Sequence, residues 1–123
     1  MFSIAFNGII TVTRGDSFSF PLKINFGTSL EPSSYGISKK DKVYMAVMEP
    51  NQPFETALIK KVFTPEDMND DGNIVIRFKP QDTQFVLPGK YYYQIKLQRF
   101  HSEDESDYDV DTIIDKTLFY ITE

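Results

Sequence analysis

One segment, residues 87–98, constrains the fold of this chain more than any other. It begins with a turn at Pro88 and Gly89. Apolar and polar side chains then alternate, which puts Tyr91, Tyr93, Ile95 and Leu97 on one face and Tyr92, Gln94, Lys96 and Gln98 on the other. A period of two with aromatic and β-branched residues is typical of a half-buried β-strand. Proline fixes its own φ and glycine tolerates positive φ, so the pair predicts a tight corner before the strand.

The same alternation recurs along the chain and predicts about seven strands, with no spacing typical of helix–strand repeats. The predicted strands are Ile9–Thr13, Phe18–Phe26, Lys42–Glu49, Phe54–Phe63, Ile74–Lys79, Tyr91–Gln98 and Thr112–Ile121. Short helical turns are predicted at Thr64–Asp67 and Pro80–Thr83, and loops at 27–41 and 102–111.

Two of these strands carry further information. Pro21 cannot donate a hydrogen bond to a neighbour, so its strand is predicted to lie at a sheet edge or to contain a bulge. Residues 43–48 are apolar on both faces. They predict either a central strand covered on both sides or a strand with one face that docks another molecule.

Composition limits the classes of function. A length of 123 residues predicts a single domain spanning residues 1–123, in which 1–8 are either a flexible leader or an extra strand. The chain contains no cysteine, so no disulfide can form. Its net charge of −5 disfavours nucleic acid as a partner. No apolar run approaches the ~20 residues of a membrane span, so no membrane partner is expected.

Two acidic patterns are candidate metal sites. In an extended segment, Asp107, Asp109 and Asp111 would direct three carboxylates the same way, which suits calcium. A mobile acidic loop is the favoured interpretation, and a contact surface for a basic partner is a third. Residues 67–72 (Asp-Met-Asn-Asp-Asp-Gly) begin like a calcium loop. Phe78 stands where the closing acid would be, so a solvated hairpin turn is favoured there.

No catalytic set is recognisable in the sequence. His101 is the one histidine, and the chain has neither cysteine nor a Gly-x-Ser-x-Gly turn that would present a nucleophile. The sequence predicts no enzymatic activity and no cofactor. Arg14-Gly15-Asp16 matches an integrin-binding tripeptide, but its residues are those of an ordinary turn before a strand.

Aromatic residues are the remaining candidates for function, because not all of the tyrosines can face inward on the predicted strands. The candidate partner-binding residues are Tyr44, Met48, Tyr92 and Tyr120. Outward tyrosines serve protein interfaces or stack on sugars. Alternatively, they reflect only the high strand propensity of tyrosine.

The Pro88-Gly89 corner and the strand that follows it resemble the E–F corner of immunoglobulin-like sandwiches. In that family an aspartate precedes a Gly-x-Tyr-x-Cys pattern, and Asp82, Gly89 and Tyr91 stand at comparable places here. Tyr93 replaces the cysteine, so the inter-sheet disulfide of the family is absent. The resemblance implies an all-β, immunoglobulin-like β-sandwich.

A second resemblance covers most of residues 9–121. The Gly15-Asp16 turn after the first strand, the middle strand from Asp41, and the Pro-Gly-Lys-Tyr corner at 88–91 are similar in layout to the N-terminal domain of phage baseplate upper proteins, from phages of Gram-positive bacteria. It implies a non-enzymatic structural protein of a phage or prophage tail or baseplate, made in the bacterial cytoplasm and located in the virion. Its implied partners are other phage structural proteins or a second copy of the chain. The alternative is a carbohydrate-binding or adhesion module that uses exposed tyrosines.

Overall fold

The computed structural model describes residues 2–23, 41–100 and 108–123. Within these ranges the chain is mostly β-strand. The strands are β1 Phe2–Ile4, β2 Ile10–Thr13, β3 Phe18–Leu22, β4 Lys42–Met48, β5 Ile59–Phe63, β6 Ile74–Phe78, β7 Gly89–Phe100 and β8 Tyr108–Thr122. The helical elements are the 3₁₀ turns Phe54–Thr56 and Pro65–Asp67 and one short α-helix, α1, Pro80–Thr83. The prediction of an all-β fold is therefore confirmed.

The described strands form two sheets. The larger has six strands in the order β1-β2-β8-β7-β4-β5 and curls into a half-barrel. This sheet is mixed. The strands β2 and β8 run parallel, with Ile10 opposite Phe119, whereas all other neighbouring strands of the sheet pair antiparallel. The smaller sheet pairs β3 with β6 antiparallel. Pro21 lies in β3 opposite Val75, and β3 has no second neighbour among the described strands, which agrees with the predicted edge position.

The core lies between the two sheets and is built by alternation. Along β3 and β6 every second residue is buried, and β7 buries Tyr91, Tyr93, Ile95 and Leu97 as the sequence predicts. The Phe18 and Phe78 rings stack with their centroids 4.6 Å apart. The Phe119 ring from the larger sheet lies 6.0 Å from that of Phe78. Offset aromatic pairs of this kind stabilise a core beyond the area they bury.

The connection from β6 to β7 crosses from one sheet to the other through α1. The helix begins as its sequence predicts, with Pro80 at its start and Asp82 Oδ2 accepting a hydrogen bond from the Lys79 N–H at 2.7 Å. The fully buried Thr83 accepts a bond from the Gly15 N–H at 2.9 Å, which ties this corner to the turn between β2 and β3. Gly15 has φ +83, a conformation that glycine adopts without steric cost.

Residues 2–4 form a strand paired with β2, which is the second of the two alternatives predicted for residues 1–8. Two other sequence predictions need correction. Residues 54–56 form a 3₁₀ turn after Pro53, and strand structure starts only at Ile59. Residues 108–111 are not loop, because β8 already begins at Tyr108. The predictions for 24–40 and for 101–107, which include His101 and Asp107, lie outside the described residues.

Candidate functional site: an apolar groove on the outer sheet face

The predicted partner-binding residues all lie on one side of the larger sheet. Tyr44 and Met48 come from β4, Tyr92 from β7 and Tyr120 from β8, with Met48 opposite Tyr92. Residues that alternate with them, such as Val47, Tyr93 and Phe119, belong to the core. Because successive side chains of a strand point to opposite faces, the four candidates are on the face turned away from the core. We call this side the outer face.

Met48 does not belong to a binding surface. It is fully buried, as is Ala46 on the same face of β4. The 3₁₀ turn 54–56 packs against β4, and Tyr92 lies opposite Met48 on β7. The double-sided apolar pattern of β4 therefore reflects, at this end, a strand covered on both sides. Tyr44, Tyr92 and Tyr120 are half-buried, so part of each ring remains accessible.

The outer face contains a groove of about 350 Å³ between the 54–56 turn and the start of β8. It crosses the sheet from β8 over β7 and β4 to β5. Its lining residues are Tyr44, Met45, Phe54, Glu55, Lys60, Lys61, Val62, Lys96, Gln98, Tyr108 and Val110.

The groove exposes an unusual amount of apolar surface. Val62, Tyr108 and Val110 are 52%, 47% and 51% exposed. Tyr44 sits between them, where its hydroxyl donates a hydrogen bond to Gln98 Oε1 at 2.9 Å. That bond satisfies the polar end of the ring, so the rest of the ring can serve as apolar floor. A contiguous apolar patch rimmed by polar groups is typical of an interaction site.

Lysines surround this apolar floor. The Lys96 ammonium lies 4.5 Å from the centroid of the Phe54 ring, a cation–π contact that holds the 54–56 turn over the sheet. The Lys60 ammonium donates to the Glu55 carbonyl oxygen. The Lys61 ammonium is directed away, because it pairs with Asp82 Oδ2 at 2.6 Å and lies 5.0 Å from the Phe78 ring centroid.

The acidic candidates are separated from the groove. Asp109 and Asp111 alternate with Tyr108 and Val110 in β8, so their carboxylates share the face opposite to the groove. The prediction that these two point the same way holds, whereas Asp107 lies outside the described residues. Among the residues that the structure describes, no three acidic or histidine side chains come together as metal ligands would.

The segment resembling a calcium loop is a tight turn. The side-chain oxygen of Asn69 accepts hydrogen bonds from the backbone N–H groups of Asp71 at 3.0 Å and Asn73 at 3.1 Å. This oxygen therefore caps its own turn, which is common for asparagine. Gly72 has φ +81, as a hairpin connection of this type requires.

Shifted pKa values occur at tyrosines of the core and at one surface carboxylate. Burial raises the pKa of the Tyr93 hydroxyl, which donates to the Gly8 carbonyl oxygen at 2.5 Å. Burial, followed by the nearby charge of Glu49, raises the pKa of Tyr91, whose hydroxyl donates to the Leu87 carbonyl oxygen at 2.5 Å. The backbone N–H of Lys116 and the Gln94 side chain lower the pKa of Asp115. The largest cause of each shift is local burial or hydrogen bonding.

Sequence reasoning missed Phe54, Val62, Tyr108 and Val110 as site residues. Phe54 was expected within a strand and Tyr108 and Val110 within a loop, so none could be assigned to the outer face. The alternation of Lys60 and Val62 with Ile59, Lys61 and Phe63 was the available signal for β5. For β8 the signal was the alternation of Tyr108 and Val110 with two aspartates.

No helix in residues 2–23, 41–100 or 108–123 has the length and apolar character needed to cross a membrane. We compared the chain with protein-family models, with curated proteins and with solved structures, and none of them matched it.

Proposed function

We propose that this protein is a non-enzymatic binding module that acts through protein–protein contacts on its outer sheet face. The observation that carries the proposal is the apolar groove, in which Val62, Tyr108 and Val110 stay about half exposed beside lysine side chains. Isolated exposed apolar residues are common on proteins, but a contiguous patch is much rarer. Aromatic residues enriched on such a patch are typical of protein interfaces.

We further propose that the fold is an immunoglobulin-like sandwich without a disulfide. The order β8-β7-β4-β5 corresponds to the G-F-C-C′ order of variable-type domains, and the paired β3 and β6 correspond to B and E. The bond from the Tyr91 hydroxyl to the Leu87 carbonyl, four residues upstream, is that of a tyrosine corner. Tyr93, at the position of the cysteine, instead ties β7 to the Gly8 turn.

The biological setting that we propose is the tail or baseplate of a phage or prophage, and the location is the virion. The support is the resemblance in layout at the Gly15-Asp16 turn and at the Pro88-Gly89 corner. The partners would be other structural proteins of the particle or a second copy of the chain.

Native mass spectrometry and light scattering test this function. The pure protein, alone and mixed with the products of the neighbouring genes, should form defined complexes. Val62→Asp, at 52% exposure, should weaken them, because it introduces a charge into the contact. Lys23→Glu, on the smaller-sheet side, is the control. A protein that stays monomeric at high concentration and binds none of these gene products would refute the proposal.

Carbohydrate binding or adhesion is the second candidate, and the partly exposed rings of Tyr44, Tyr92 and Tyr120 on one face favour it. Rings of this kind can stack on sugars. A glycan array tests it, because saturable binding that Tyr92→Ala abolishes would favour this function over protein contacts.

A further inference from the structure

We infer that the outer-face groove binds an extended acidic peptide segment of a partner protein that also carries apolar side chains. This names the partner class for the proposed binding module and rests on that proposed function. The inference combines the charge on the outer face, the shape of the groove and the kind of apolar side chain that lines it.

The outer face carries more lysines than carboxylates. The outward positions of β4, β5 and β7 contain the lysines Lys42, Lys60, Lys90 and Lys96 and no carboxylate. On β8, the Asp115 carboxylate accepts a hydrogen bond from the outward Gln94 and interacts with the charge of Lys96. The whole chain nevertheless carries a net charge of −5. Around the groove itself, Lys60 and Lys96 face a single glutamate, Glu55, while the Lys61 ammonium pairs with Asp82. An excess of positive charge beside an apolar groove favours a negatively charged occupant and disfavours a basic one.

The geometry fits an extended chain. From β8 to β5 the groove crosses three interstrand spacings, or about 14 Å, which four or five extended residues can span. An extended segment directs alternate side chains to opposite sides. Apolar residues can then contact Val62 and Val110 while carboxylates reach Lys42 and Lys96.

The apolar lining favours a peptide over an acidic sugar. The two most exposed apolar side chains of the groove, Val62 and Val110, are branched and aliphatic and offer no flat ring on which a sugar could stack, whereas Tyr108 does. Val62 and Val110 can bury the aliphatic side chain of a peptide, which is the interaction that drives most protein association. Nucleic acid is disfavoured because its phosphate backbone would extend beyond the groove over a chain whose net charge is −5.

Fluorescence anisotropy with three labelled peptides tests the inference on the full chain. The first alternates glutamate with leucine, the second replaces glutamate by glutamine, and the third replaces leucine by glycine. The first should bind saturably, and the other two roughly tenfold more weakly or not at all, because each lacks one recognition element. Added salt should weaken the first complex.

Variants locate the site. Lys96→Glu and Val110→Asp should each weaken binding of the first peptide roughly tenfold. Because Lys96→Glu also removes the contact with Phe54, Lys42→Glu serves as a second charge reversal without that contact, with thermal melting as the check of folding. Lys23→Glu makes the same charge change on the smaller-sheet side and should leave binding unchanged.

Several outcomes would overturn the inference. These are equal binding of the glutamine peptide, insensitivity to both Lys96→Glu and Lys42→Glu, or tighter binding of oligogalacturonate than of the first peptide. If the first peptide fails to bind while native mass spectrometry still detects complexes, the inference is wrong and the proposed function stands. If neither is observed, both are wrong.

Discussion

The inner and outer faces of the larger sheet use the same residue type in opposite ways. Tyr92 and Tyr93 are neighbours on β7, yet Tyr93 is 1% exposed among the core residues and Tyr92 is half-buried on the outer face. The Phe119 ring packs at 71° to that of Tyr93, and the Tyr93 hydroxyl donates to a backbone carbonyl 85 residues away. Burial and a backbone partner thus make one tyrosine structural and leave the other available for contacts.

The largest expected difference between the faces is between two alanine substitutions. Tyr93→Ala should lower the free energy of unfolding by about 3–5 kcal/mol, because it leaves a cavity between the sheets. Tyr92→Ala, one residue away, should cost about 1 kcal/mol, the average for a point substitution. Chemical denaturation measures both. Equal losses would contradict the division of roles between the faces.

Met48 sharpens the comparison, because it is on the outer face but fully buried. Met48→Ala should therefore behave like a core substitution and cost about 2–5 kcal/mol. Val62→Ala, on the same face at 52% exposure, should cost much less. A loss for Met48→Ala no larger than that for Val62→Ala would mean that the outer side of β4 is not covered at Met48 in solution.

Removal of the hydroxyl group should also cost more stability at the inner Tyr93 than at the outer Tyr44. Tyr93→Phe removes the donor to the Gly8 carbonyl and should cost about 1–2 kcal/mol, because the acceptor loses its partner. Tyr44→Phe removes a bond to the Gln98 side chain, which can turn to water, and should cost less. Denaturation of the two variants side by side measures the difference.

Alkaline pH should lower the stability of the folded protein through Tyr93. Burial raises the pKa of Tyr93 in the folded state above the ordinary 10.0, which the unfolded chain retains. The unfolded state therefore releases its proton first. The stability from this group is complete below pH 10 and is lost as pH rises from there towards the folded-state pKa. Thermal melting of Tyr93→Phe should consequently fall less steeply above pH 10 than that of the wild type, and parallel curves would contradict this.

The smallest expected effect is a change in the pKa of Asp115 on the outer face. Gln94→Ala removes the weaker of two hydrogen bonds to Asp115 Oδ1 and should raise the pKa of that carboxyl part of the way to its ordinary value. The Lys116 N–H, the larger cause, keeps the pKa below that value. NMR titration detects the shift, and Gln98→Ala, which does not contact Asp115, is the control.

Local pattern was sufficient for the parts of the fold where neighbours in sequence determine structure. The alternation of β6 and β7, the Pro80 helix start and the Pro88-Gly89 corner are all short-range signals, and the structure contains each element. The start of β8 was predicted as a loop because of its aspartates. In the folded chain Asp109 lies opposite Arg99, a cross-strand pairing of opposite charges that the local sequence does not reveal.

The site could not be predicted because it is assembled from distant segments. Phe54 was assigned to a strand, but Pro53 and a 3₁₀ turn place it beside Lys96, 42 residues further along the chain. Periodicity indicates which side chains share a face of one strand, and it does not indicate which strands are neighbours. Periodicity therefore placed Tyr44 and Tyr92 on the outer faces of their own strands, but it did not bring Val62 and Val110 beside Tyr44.

The parallel pairing of β2 with β8 has a consequence for synthesis of the chain. A bond from Thr122 to Val12 spans 110 residues, so β2 leaves the ribosome early and must wait for its final neighbour. Closing so long a loop is slow. In the interval β1, which folds back on β2 with Ile4 opposite Ile10, pairs with the edge of β2 that does not receive β8 and shields that edge from aggregation.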